Sequence, residues 1–70
     1  MIKEGTKVSW KWGNGKDHGT VKKTYAEEVS KTIQGSKIIR KGELENKALY
    51  IEQEDGGHVL KLESEVNRAD

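Results

Sequence analysis

The chain has no cysteine and no proline, and no apolar run long enough to span a bilayer. Without cysteine, disulfides and thiolate zinc sites cannot brace it. His18 and His58 are the only histidines, and two histidines cannot close a structural metal site alone. No metal and no cofactor is therefore expected. The absence of proline and of low-complexity tracts leaves no visible linker, so residues 1–70 read as one domain. The opening Met1-Ile2-Lys3-Glu4-Gly5 carries no apolar leader. Together these absences point to a chain without a membrane segment, in the cytoplasm.

Seventy residues bury only a modest share of their surface, so one apolar core has to hold the domain. The candidates are Val8, Trp10, Val21, Ile33, Ile38 or Ile39, Leu49, Ile51, Leu60, Leu62 and Val66. Charge is plentiful and uneven. Residues 1–41 carry ten Lys/Arg against four Asp/Glu, a net of +6; residues 42–70 carry three against eight, a net of −5. Such asymmetry either marks a basic patch facing an acidic one or mixes on the surface as strands from the two halves interleave.

The segment Thr6 to Trp12 alternates strictly. Thr6, Val8, Trp10 and Trp12 fall on one face, Lys7, Ser9 and Lys11 on the other. That is the period of a strand with one buried side. Gly13-Asn14-Gly15 is turn chemistry, because glycine and asparagine tolerate positive φ. A second strand starts near Asp17 or Gly19 and reaches Tyr25. Gly19 inside it implies a bulge or the close approach of a large ring such as Trp10. From Ala26 to Ile33 the apolar spacing fits a long, bulged strand ending at Ile33, with a single helical turn near Ala26–Val29 as the alternative. Gln34-Gly35 reads as a turn into a third strand, Ser36 to Lys41. A fourth strand covers Lys47 to Gln53. Asp55-Gly56-Gly57 turns into a fifth, His58 to Leu62. Ser64-Glu65-Val66 makes a short turn that packs Val66, and residues 67–70 fray. Five short strands with tight turns imply an all-β, partly open barrel, since closure removes sheet edges.

Several stretches together resemble one family. They are Glu4-Gly5-Thr6-Lys7-Val8-Ser9-Trp10, Gly15, Gly19-Thr20-Val21, Ile33-Gln34-Gly35, Ala48-Leu49-Tyr50-Ile51-Glu52 and Gly57-His58-Val59-Leu60-Lys61. The order and spacing are similar to those of hypervirulence-associated proteins with a Tudor-like domain. The resemblance covers most of the chain and implies a five-stranded SH3-like, Tudor-type barrel, without an established activity. Tudor domains that read methylated ligands surround the cation with ring faces. By resemblance the first such ring falls at Trp10, the second near His18, and later ones near Ile51 and Asp55. The last two are not aromatic, so the cage is incomplete.

The candidates for function follow from position. Trp10 is in phase with Val8 and belongs to the core. Trp12 ends the strand beside three turn residues, where an exposed ring can serve as a contact surface. Tyr50 is out of phase with Leu49 and Ile51 and lies on the outer face. Trp12, His18 and Tyr25 form the candidate ligand-binding mouth for a protein or peptide. Lys22, Lys23, Lys37, Arg40 and Lys41 form an alternative nucleic-acid face, with Glu27 and Glu28 nearby. No nucleophile accompanies either histidine, and the carboxylate pairs Glu27-Glu28 and Glu54-Asp55 lack an apolar pocket. No catalytic residue is assigned. The sequence thus predicts a small, non-enzymatic, monomeric binding or adaptor module.

Overall fold

In the computed structural model, which describes residues 2–69, the chain is extended almost throughout. The elements are β1 (Lys7–Trp12), β2 (Gly15–Tyr25), β3 (Glu28–Ile33), β4 (Ser36–Lys41), β5 (Ala48–Gln53), β6 (His58–Leu62), a 3-10 turn (Glu63–Glu65) and β7 (Asn67–Arg68). Five strands form one sheet in the order β6-β5-β2-β1-β7, and β3-β4 form a second sheet of two. The two sheets do not close into a barrel. The all-β reading holds, with seven strands where the sequence predicts five.

The long β2 organises the main sheet. Its first half pairs with β1, from Trp12↔Gly15 to Lys7↔Thr20. Its second half pairs with β5, from Gly19↔Gln53 to Tyr25↔Ala48. The register shifts between Val21 and Lys23, so Lys22 is the bulged residue. A bulge bends and twists its strand, which lets one strand serve two differently inclined partners. The glycine at position 19 has a different cause from those the sequence suggests. A Cβ there would collide with the Glu52 carbonyl and lie 2.8 Å from Ile51 Cγ2. The crowding comes from the β5 backbone and not from the Trp10 ring.

Ala26 and Glu27 bend the chain out of the sheet and separate β2 from β3. The segment 28–33 is strand, as preferred from sequence, but it is not a continuation of β2. No helical turn forms at 26–29. β3 and β4 run in unbroken antiparallel register from Glu28↔Lys41 to Ile33↔Ser36. Gln34 and Gly35 have φ of 51° and 81°, the double positive φ of the turn whose twist suits a two-residue hairpin. The chain returns to β5 through Gly42, where a Cβ would strike the Tyr25 carbonyl and lie 2.8 Å from the Ala48 nitrogen.

Residues 67–69 do not fray. Asn67 and Arg68 pair with Ser9 and Val8, and Ala69 N donates to Lys7 O at 2.8 Å. Asp70 lies outside the described residues. Carboxylates tie the approach to this strand. Glu63 Oε1 accepts from Lys47 N and Glu65 Oε1 accepts from Leu62 N, each at 2.8 Å.

The main core contains Ile2, Val8, Trp10, Val21, Leu49, Ile51 and Val66, with Val59 packed against it. Val8, Val21, Leu49 and Ile51 are fully buried. Burial of each contributes about 1.5–3 kcal/mol. Ala48 and Leu60 are also buried, yet the register puts them on the opposite face from Ile51 and Val59. That face is covered by the β3–β4 hairpin, whose inward residues Val29, Lys31, Ile33, Ile38 and Arg40 are all half-buried. The apolar residues therefore divide between two sides of one sheet. Ile33, Ile38 and Leu62, expected in the core, are only half-buried, and Ile39 is 48% exposed. Ile2 and Ala48 are buried without having been expected there, and Thr6 is buried on the face its alternation gave it.

Candidate functional site

The mouth expected from Trp12, His18 and Tyr25 does not assemble. Trp12 stands at the β1–β2 turn and is 64% exposed, as a contact ring would be. Its cross-strand neighbour is Gly15, whereas His18 is opposite Ser9. Directly opposed residues share a face and neighbours in sequence alternate. Trp12 therefore lies on the face of Trp10, and His18 on the other. Tyr25 ends β2 at the far end from Trp12. His18 Nε2 is engaged with Glu54 Oε1 at 2.8 Å. Trp10 is 4% exposed and presents no ring face to a ligand.

The basic residues do not converge either. Lys22 Nζ lies 3.5 Å from Glu52 Oε1. Arg40 faces the sheet, with Nε 3.5 Å from Glu65 Oε1 and one guanidinium nitrogen donating to the Ile39 carbonyl. Lys37 and Lys41 are on the outer face of the hairpin, and Lys23 is on β2 opposite Tyr50. Of the five cations, Lys22 and Arg40 each lie near a carboxylate, and Arg40 is on the opposite face of the hairpin from Lys37 and Lys41.

What the fold does bring together is a cluster on the hairpin side of the main sheet. Tyr50 on β5 and His58 on β6 stack with ring centroids 4.9 Å apart and planes inclined by 10°. His58 Nε2 lies 3.8 Å from Glu52 Oε2. Lys31 reaches inward from β3 and sets its ammonium 5.0 Å from the Tyr50 centroid and 5.3 Å from the Tyr25 centroid. One cation over two rings pins the hairpin to the sheet, each such contact being worth about 0.5–1 kcal/mol where water has access.

Beside this cluster runs a groove of about 330 Å³ between the hairpin and β6. Ile33, Ile38, Val59 and Leu60 give it an apolar floor. Arg40 and Lys61 supply its charge, with the His58 ring between and Gln34 and Gln53 at one end. No aspartate or glutamate lines it. Four consecutive β6 residues, His58 to Lys61, border it, so the groove follows a strand edge. It sits where the two sheets fail to close.

A family model described as hypervirulence associated proteins, TUDOR domain, matches residues 5–66. The chain belongs to that family. Comparison with curated proteins and with solved structures gave no match. A Tudor-like domain is a small binding module and a typically non-catalytic fold. Among the described residues no helix is long and apolar enough to cross a membrane.

Tyr50, His58, Lys31 and the groove were not assigned from sequence, although one signal was available. The Asp55-Gly56-Gly57 turn fixes the β5–β6 register, and through it the Glu52↔His58 pair. Tyr50 and His58 then stand diagonally on one face, within reach of aromatic rings. The contribution of Lys31 could not be read in the same way, because it depends on where the hairpin folds back.

Proposed function

We propose that this domain recognises an extended peptide segment, apolar and acidic in composition, in the groove between the β3–β4 hairpin and β6. The observation that carries the reading is the lining itself: four aliphatic side chains beside Arg40, His58 and Lys61, with no carboxylate among them. A lining that takes in four consecutive β6 residues favours an extended chain over a compact metabolite. Aliphatic floor residues offer area for alternate side chains, as strand-like ligands present them. Lys61 at the rim, with Arg40 beside it shared with Glu65, favours acidic residues and steers their approach. The Tudor-like family supports a binding role in general, and the lining of the groove supports the peptide reading.

The test is selection from a displayed library of random heptapeptides, followed by mapping of the selected peptides on amide spectra of the intact domain. Selected sequences are expected to be rich in aspartate, glutamate and aliphatic residues, and to shift amides of 33–40 and 58–61. Lys61→Glu is expected to weaken them about tenfold, or ~1.4 kcal/mol. Shifts centred on Trp12 and the 13–15 turn would move recognition to the β1–β2 tip. A library that yields no binder would remove the reading.

A further inference from the structure

β1 and β2 run on together past the strands that flank them. β7 covers β1 only at Val8 and Ser9, and β5 joins β2 only from Gly19. The rungs Trp10↔Asp17, Lys11↔Lys16 and Trp12↔Gly15 therefore form a two-stranded arm. Its base is held, since Trp10 belongs to the core and Asp17 accepts from Gln53 Nε2 at 2.8 Å. Its tip is not: every residue from Lys11 to Lys16 is exposed.

The tip is built against its own stability. Lys11 and Lys16 stand directly opposite each other, a destabilising like-charge pair. No carboxylate offsets them: Asp17 is on the other face and bound to Gln53, and Glu54 is bound to His18. Among the described residues, the side chains of Lys11, Trp12 and Lys16 make no hydrogen bond, ion pair or ring contact. Gly15 occupies the position from which a side chain would pack on the Trp12 ring. A Cβ there would meet nothing within 4 Å, and the backbone is not left-handed, so the fold does not require glycine. The outcome is a bare indole, 64% exposed, with two unneutralised ammonium groups one rung behind it. Local rules broken without a structural gain are a mark of function.

We propose that this tip is a peripheral contact with an anionic lipid surface, the Trp12 ring entering the headgroup layer and Lys11 and Lys16 meeting lipid phosphates. Indole settles at membrane–water interfaces because its body is apolar and its N–H seeks a polar partner. A strand rises about 3.3 Å per residue, so the lysines follow the ring by a short step in depth. Geometry selects the occupant. Neighbours in a strand alternate, so Trp12 lies on one face of the ribbon and the lysines on the other. A ligand lying along either face reaches the ring or the cations. A plane met end-on reaches both. Size points the same way. Residues 11–16 fall well short of the about 20–30 residues a side that a stable protein partner needs. One ring and one rung of lysines also fall short of a surface tracking roughly 4–16 nucleotides, and the next residue along the lysine face, His18, brings Glu54 with it. A lipid surface sets no such minimum, because its headgroups move to meet the charge that arrives. None of the groove residues belongs to this tip.

Co-sedimentation of the intact chain with vesicles of phosphatidylcholine, with and without phosphatidylserine, tests the contact at low and moderate salt. Binding is expected only where phosphatidylserine is present, and should weaken as salt rises. Tryptophan emission should shift to the blue on binding, a change that reports Trp12 because Trp10 is already buried. Each lysine near an anionic leaflet is worth about fivefold in binding. Lys11→Glu turns the like-charge rung into an opposite-charge pair, so it should leave the urea midpoint unchanged or higher and still weaken vesicle binding at least about tenfold. Trp12→Ala should stay folded and lose the blue shift. No binding to phosphatidylserine vesicles at low salt overturns the proposal. So does equal binding to both kinds of vesicle, or binding indifferent to both substitutions. A single-stranded oligonucleotide that binds residues 11–16 more tightly than the vesicles do, at equal phosphate concentration, would make the tip a nucleic-acid contact and also overturns it.

Discussion

Two tryptophans two residues apart perform unrelated tasks, and the difference between them is one of depth along a strand. Trp10 is 4% exposed and Trp12 is 64% exposed, although both point to the same side of β1. Trp10→Ala should cost about 3–5 kcal/mol, enough to unfold much of a domain this small. Trp12→Ala should change stability by less than about 0.5 kcal/mol. Urea titration of the two variants measures both. Gly19 is the other residue with a sharp prediction. Adding a methyl group drives it into the β5 backbone at Glu52, which cannot rotate away as a side chain could. Gly19→Ala should cost about 1–3 kcal/mol, read as a lower denaturation midpoint with an unchanged slope. The alternation of β1 made Val8 and Trp10 legible as core from sequence. The cause of Gly19 was not legible, because it lies across the sheet on a strand more than thirty positions later.

At the scale of elements, strand existence was readable and strand partnership was not. The turns at 13–15, 34–35 and 55–57 were marked by glycine and asparagine or aspartate. What no local pattern revealed is that β2 bypasses β3 and β4 to pair with β5. A periodicity at 26–33 that fitted either strand or helix resolved to strand because the inward set Val29, Lys31 and Ile33 is needed over the far face of the sheet. The basic patch dissolved for the same reason: hairpin residues alternate between inner and outer faces, which separates Arg40 from Lys37 and Lys41. The hairpin hangs on few contacts, so its amides should exchange faster than those of β1, β2 and β5. Lys31→Ala, which removes the cation from both tyrosines, should raise exchange in β3 and β4 by up to about fivefold, equivalent to ~1 kcal/mol, and leave β1 unchanged. Equal acceleration everywhere would show that the hairpin opens only with the whole domain.

For the whole molecule, the opposed charges of the two halves of the sequence meet at a few points. Lys22 lies near Glu52, His18 near Glu54, and Arg40 near Glu65. Each pair joins the basic first part to the acidic second part, as interleaved strands require. Exposed pairs of this kind add little stability, but they do neutralise a field. Oligonucleotide binding should accordingly be weak. A titration with single-stranded DNA at low and moderate salt should give a log–log slope no steeper than about −2, the release expected from two to three phosphates. A much steeper slope would restore a nucleic-acid face assembled from Lys22, Lys23, Lys37, Arg40 and Lys41. The sequence located its own rings and charges well enough. It could not locate the groove, because that space is bounded by two elements whose relative placement is set by chain reversal at Ala26, Glu27 and Gly42.

That reversal also has a consequence for how the family can vary. Tyr25 and Ala48 are direct partners in the β2–β5 ladder, so residues 26–47 leave the sheet and re-enter it at adjoining points. The excursion is closed at both ends by the scaffold, and the entropic penalty of lengthening a closed loop grows only logarithmically. Relatives should therefore tolerate insertions, deletions and wholesale exchange of sequence between these two anchors, provided that Ala48 and Leu60 stay covered. The segment is a natural splice position: a different recognition hairpin can be grafted there while the five-stranded scaffold remains the same.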